Sequence, residues 1–178
     1  FRSALAALSS RRKGPCDAGM ELLGRTSEIA AWIEEVAEAL CAVDCRVVGM
    51  STTFEQTAAS LAIAASTKRM KPCLRTILGG ANCDGPMAEG VAKLSPDVDH
   101  VFRGESEKTF VEFLAAAGRE SWPQDRIIAG RPCTDLDALP TPDFDDYYRQ
   151  FAAFISHPEG APPRTAWLPY ESSRGCWW

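Results

Sequence analysis

The sequence predicts an α/β domain built on a doubly wound parallel sheet. Short apolar runs rich in β-branched residues alternate with helical stretches, each run ends in a turn rich in Gly, Ser or Thr, and the alternation occurs three times in succession. Parallel strands need crossover helices, which cover both faces of such a sheet.

The elements follow in order. Phe1-Arg2-Ser3 with Ala4, Leu5, Ala7 and Leu8 reads as the turn and first helix of a domain whose first strand would precede Phe1, and Met20-Glu21-Leu22-Leu23 reads as its second strand. The absent strand would then be a central one. Between Ser27 and Val43, Ile29, Trp32, Ile33, Val36, Leu40 and Val43 recur at helical spacing, with Glu34, Glu35 and Glu38 mostly opposite. Arg46 to Met50 is too short for a helix and fits a buried strand, closed by Ser51-Thr52-Thr53. The Ala-rich stretch from Glu55 to Met70 is a second helix, with Lys68, Arg69 and Lys71 at its negative end and Pro72 as its stop. Leu74 to Leu78 is the next strand, running into Gly79-Gly80-Ala81-Asn82. Asp84 and Pro86 open a helix carrying Met87, Val91 and Leu94 on one side. Val98 to Phe102 is a third strand and Arg103-Gly104-Glu105 its turn, before a helix with Phe110, Phe113 and Leu114 facing inward. From Gly118 the periodicity fades among prolines, with a possible short strand at Arg126 to Ala129 and an aromatic-acidic cluster, Asp143 to Tyr148. The expected organisation is an α/β domain over 1–117, a Pro-rich linker over 118–165 and the start of a further domain over 166–178.

Of the 178 residues, 46% are hydrophobic and 24% charged, with a net charge of -5 and no basic run, so no nucleic-acid partner is expected. No stretch approaches the length of a membrane span, and no secretory leader opens the chain. The 7 scattered cysteines are an odd number, which speaks against a disulfide framework and for a reducing cytoplasm. Cys41 and Cys45 have a Cys-x-x-x-Cys spacing without the following Cys-x-x-Cys, and Cys41 lies on the apolar stripe of a helix, so the pair reads as structural.

In an open parallel sheet, ligands bind at the carboxyl ends of the strands, where the three turns converge. Gly79, Gly80 and Gly104 remove side chains where backbone must come close to something, while Ser51, Thr52 and Thr53 supply hydroxyls. Each turn alone could be only a tight turn and a helix cap; the three together suit a large cofactor with a nucleotide tail. No Gly-x-Gly-x-x-Gly follows a predicted strand and no Gly-Lys-Ser/Thr loop occurs, which disfavours a dehydrogenase or a nucleotide triphosphatase.

The runs Val47-Val48-Gly49-Met50-Ser51-Thr52-Thr53-Phe54-Glu55-Gln56-Thr57, Leu78-Gly79-Gly80-Ala81-Asn82-Cys83-Asp84-Gly85 and Val101-Phe102-Arg103-Gly104-Glu105-Ser106-Glu107 resemble the cobalamin-binding domains of radical S-adenosylmethionine enzymes. The nearest likeness is to the C-methyltransferases that mature ribosomally synthesised peptides. Asp135 to Phe144 resembles the segment joining the two domains of that family, and Glu171-Ser172-Ser173-Arg174-Gly175-Cys176-Trp177-Trp178 resembles its first barrel strand and the opening of its cluster motif. The resemblance implies a flavodoxin-like or Rossmann-like cobalamin domain in which Ser51, Thr52, Thr53, Gly79, Gly80, Ala81, Asn82, Gly104 and Glu105 hold cobalamin. It further implies that Cys176 is one ligand of a [4Fe-4S] cluster that works with S-adenosylmethionine on a peptide substrate in the complete protein.

The chain departs from the family pattern in two respects besides its first strand. Three thiolates hold that cluster and the sequence ends two residues after the first of them, so a continuation into Cys-x-x-Cys is expected and this piece alone is expected to be inactive. The Asp-x-His-x-x-Gly motif that ligates cobalt in many cobalamin domains is absent. His100 is out of register with it and reads as a hydrogen-bonded strand residue, and His157 does not fit either. Many members of the methyltransferase family lack that His too. The competing expectation is a stand-alone, non-catalytic module for cobalamin or another nucleotide-tailed ligand such as a flavin.

Overall fold

The computed structural model describes residues 25–154. The expected second strand at Met20 to Leu23, Cys176 and His157 lie outside the described residues. In order along the chain are α1 (Thr26–Ala42), β1 (Val47–Ser51), α2 (Gln56–Met70), β2 (Arg75–Gly79), a 3-10 turn (Ala81–Cys83), α3 (Met87–Leu94), β3 (His100–Arg103), α4 (Glu107–Gly118), β4 (Ile127–Ala129) and α5 (Asp145–Phe154). The strands form one sheet in the order β1-β2-β3-β4, every pair parallel. Among the described residues no helix is long and apolar enough to cross a membrane.

Alternation along the strands divides the core in two. On one face Leu78 and Val101 pack with Ala64 of α2 and with Ala88, Val91 and Ala92 of α3. On the other, Ile77 and Phe102 pack with Phe113 of α4, flanked by Val47, Trp122 and Ile128. Helices on both faces are compatible with a doubly wound fold. The small residues of α2 let it lie close: Ser60, Ala64, Ser66 and Thr67 are all buried. On α3 the buried side is Ala88, Val91 and Ala92, whereas Met87 and Leu94, expected on it, are exposed. The alanines bring the helix axis nearer the sheet than longer side chains would allow. On α1 only Ala37 is fully buried, and Ile29 and Trp32 stay exposed. Glu34, expected to face away, instead joins α1 to α2, and hydrogen bonds from Arg69 and Ser66 hold its carboxyl below its ordinary value.

The stretch after Gly118, expected as linker, contributes β4, and the boundary between two compact units falls between Thr134 and Asp135. Because the strand order continues in one direction while α4 lies on the face opposite α2 and α3, the β3–α4–β4 crossover has the opposite hand to the two before it. One hand is strongly preferred in such crossovers. Here side-chain anchors secure the short edge strand: Arg126 Nε donates to Val98 O at 3.2 Å, and His100 Nδ1 lies 3.0 Å from Asp125 O. In the second unit, α5 carries a row of rings, Tyr147 edge-on to Tyr148 with centroids 5.3 Å apart and tilted against Phe151 at 6.0 Å.

Charge is concentrated at the starts of the strands. Asp99, 15% exposed, receives Lys68 Nζ at 2.6 Å, Arg75 at 3.0 Å and the Thr76 N–H at 2.8 Å. Burial alone would raise its carboxyl pKa. The hydrogen bonds from Lys68 and Thr76, the Lys68 charge and the Arg75 bond outweigh that and hold it below the ordinary value. A depressed folded-state pKa contributes stability that is present above the unfolded-state value, about 3.9 for Asp, and is lost as pH falls through the folded-state value. Asp99→Asn should therefore cost about 3 kcal/mol near neutrality, since it leaves the Lys68 ammonium without its counter-charge. Urea unfolding as a function of pH checks this: the difference from wild type should shrink as the pH drops below about 4.

Candidate functional site

The carboxyl ends of β1, β2 and β3 open on a cleft of about 340 Å³. Its floor lies on the α4 face of the sheet. Gly49 and Gly79 sit on that face: a Cβ at 49 would lie 3.3 Å from Ile77 Cγ1, and one at 79 would lie 3.6 Å from Phe102 Cβ. The two glycines lie diagonally across the β1–β2 ladder, since Gly49 pairs with Ile77 and Gly79 with Ser51. Phe102 and Phe110, with rings at 5.6 Å and near-perpendicular, form an aromatic wall. Ser51, Gly104 and Ser106 complete the rim, and among the described residues no charged side chain lines the cleft. The Ser106 hydroxyl donates to Gly104 O at 3.0 Å.

Comparison with protein-family models, with curated proteins and with solved structures finds no match for this chain. The site is therefore read from its own residues.

Of the nine residues expected to hold a cofactor, Ser51, Gly79, Gly80 and Gly104 line the cleft, and Thr52, Thr53, Ala81, Asn82 and Glu105 do not. The latter mostly build the turns. Thr52 is fully buried, with its N–H 2.7 Å and its hydroxyl 2.9 Å from Gly79 O. Thr53 donates its N–H to Gln56 Oε1 at 2.8 Å, and its carbonyl accepts the Gln56 N–H at 3.2 Å, at the entrance to α2. Asn82 uses its amide nitrogen within the fold: it donates to Phe54 O at 2.7 Å and Thr57 Oγ1 at 2.9 Å, pinning the β1–α2 turn, where Phe54 has φ +50°. Ala81 opens the 3-10 turn. The Glu105 carboxylate accepts the Cys133 N–H at 3.0 Å and fastens the chain after β4.

Gly80 lines the rim, yet it is glycine for a reason internal to the fold. It has φ +97°, and a Cβ there would lie 2.5 Å from Thr52 O and 2.8 Å from Thr52 N. Its missing side chain makes room for the neighbouring turn, whereas the one missing from Gly79 leaves space in the cleft. At Gly104, with φ +75°, a Cβ would lie 3.7 Å from Asp84 Oδ1, an ordinary contact.

Gly49, Ser106 and the two phenylalanines of the wall were not among the expected site residues. A glycine inside an apolar strand run was the available signal at 49, since such a position marks close approach of a ligand or another backbone. His100 is buried at the first residue of β3, at the far end of the strand from the cleft, with its ring edge-on to Phe113 at 5.2 Å. Cys41 is half-buried, its thiol directed at Thr67 O at 3.9 Å. Among the described residues no group of three or more His, Cys, Asp or Glu could hold a metal ion.

The two neighbouring glycines should respond differently to the same methyl group. Gly80→Ala is expected to lose about 3 kcal/mol or to fail to fold, from backbone overlap together with a left-handed φ. Gly79→Ala should remain within about 1 kcal/mol of wild type. Chemical denaturation of the two variants decides it.

Proposed function

We propose that this domain is a doubly wound cobalamin-binding domain, the N-terminal part of a radical S-adenosylmethionine C-methyltransferase that acts on a ribosomally synthesised peptide in a reducing cytoplasm. One observation carries the reading: an uncharged cleft at the carboxyl edge of a parallel sheet, floored by the side-chain-free positions Gly49 and Gly79 and walled by Phe102 and Phe110. Its volume is at the small end for ligand sites, so it suits the flat heteroaromatic tail of such a cofactor and not the whole molecule. The apolar walls would exclude water from the tail, and the hydroxyls of Ser51 and Ser106 would bond its polar edge.

The chemistry that the bound group would supply is methyl transfer to the peptide substrate, together with S-adenosylmethionine and a [4Fe-4S] cluster for which Cys176 would be one ligand. The contribution of the described residues is placement: a rigid floor, a dry wall and two hydroxyls at fixed positions. Thr52, Asn82 and Glu105 act behind the rim, holding the turns that carry the contacts.

The test loads the 178-residue chain with hydroxocobalamin, desalts it and reads visible absorption, with circular dichroism to verify folding. Wild type should retain the corrinoid. Gly79→Val, a strand-compatible residue that fills the floor, should lose it while staying folded. Ser51→Ala should weaken retention about fivefold, the cost of one neutral hydrogen bond of ~1 kcal/mol. A folded wild type that holds no corrinoid, or a Gly79→Val variant that keeps the full load, overturns the assignment. Retention of a flavin in its place would favour the stand-alone nucleotide-tail module.

A further inference from the structure

At the opposite end of β1 and β2 a second hollow, of about 370 Å³, is lined by Cys45, Arg46, Cys73, Leu74, Glu120 and Trp122. Both thiols are free. Val47 pairs with Arg75 and the Arg75 N–H donates to Arg46 O at 2.9 Å, with Cys45 and Cys73 each two residues before that first pair. Both cysteines lie in the turns that lead into the strands: the Cys45 N–H donates to Val43 O at 2.9 Å, and the Leu74 N–H closes a turn around Cys73 by donating to Lys71 O at 3.0 Å. What brings the two together is the hollow that both line, beside Trp122, over which the Arg75 guanidinium lies at 5.2 Å. The remaining described cysteines are placed otherwise. Cys41 bonds Thr67, Cys83 is buried against the Thr52 hydroxyl, and Cys133 is buried beyond β4.

We propose that Cys45 and Cys73 form a dithiol site that reacts with small-molecule disulfides and closes into an intrachain disulfide at the starts of β1 and β2. Cys73 is exposed and Cys45 half-buried, which assigns their order of reaction. The Cys73 thiolate attacks one sulfur of the small disulfide, forming a mixed disulfide and releasing the first small thiol. The Cys45 sulfur then attacks the Cys73 sulfur, breaking the mixed disulfide and releasing the second. In sum, two protein thiols and one small disulfide become one protein disulfide and two small thiols, the two protein protons leaving with them. In a reducing compartment the pair stays open. When small disulfides accumulate, it staples together the two strands whose other ends carry Ser51 and Gly79.

The site does not depend on what the cleft binds, and it is tested separately. The folded chain is incubated with oxidised glutathione, quenched in acid, alkylated and mapped by mass spectrometry. Wild type should yield a cross-linked peptide pair joining Cys45 to Cys73, whereas Cys45→Ser should accumulate a glutathione adduct at Cys73. Cross-linking should raise the melting midpoint by about 5 °C or more, because it closes a loop in the unfolded chain. A measurement that needs no variant is capture by phenylarsine oxide, in which both thiols bond to arsenic and one water leaves; the arsenic should map to these two peptides. The proposal is overturned if the Cys73 adduct persists in wild type as it does in Cys45→Ser, if the cross-link or the arsenic joins other cysteines, or if the cross-linked chain melts lower.

Discussion

A Cβ cannot fit at position 80, and that exclusion ties together the ends of β1 and β2. The backbone of Gly80 lies against the backbone of Thr52, so the two turns meet without an intervening side chain. Around this contact Thr52 donates both its N–H and its hydroxyl to Gly79 O, and the Asn82 N–H donates to Thr52 O at 3.1 Å. Each bond is worth only ~1 kcal/mol, but together they pair the N–H, the hydroxyl and the carbonyl of the fully buried Thr52. The positions of Ser51 and Gly79 at the rim follow from it.

The two ends of the sheet differ in character. At the strand starts, Asp99 gathers Lys68, Arg75 and Thr76 into a charged knot that closes the bottom of the core. At the strand ends Arg103 and Glu89 form an ion pair that does not line the cleft, and among the described residues aromatic rings and glycines line it with no charged side chain. Polar contacts made in that cleft would be little screened, so a few hydroxyls can orient a ligand strongly.

The strand–helix alternation was legible because it depends on local patterns: β-branched runs for β1 to β3, small residues for α2, and glycine-rich turns at the strand ends. Which glycine served which purpose was not legible. Gly79 and Gly80 are adjacent in sequence and alike in composition, and only the path of Thr52 beside one and the empty space beside the other tell them apart. Helix faces were misjudged where alanine carried the packing, as on α3, since Met87 and Leu94 dominate any hydrophobicity pattern while Ala88 and Ala92 touch the sheet. A short strand at Arg126 to Ala129 was legible as a possibility and is present as β4, but its pairing with β3 was not legible. Three residues among prolines carry little periodicity, and the anchors of the strand, Arg126 and His100, are polar.

Among the described strands, each pairs with its neighbour in sequence, β1 with β2, β2 with β3 and β3 with β4. Every pairing thus closes a segment containing a single helix, with no strand held in reserve for a partner synthesised much later. Short closures are cheap in chain entropy and fast to form. A chain leaving the ribosome can lay down this part of the sheet in the order of its translation, each new strand adding to an edge already in place.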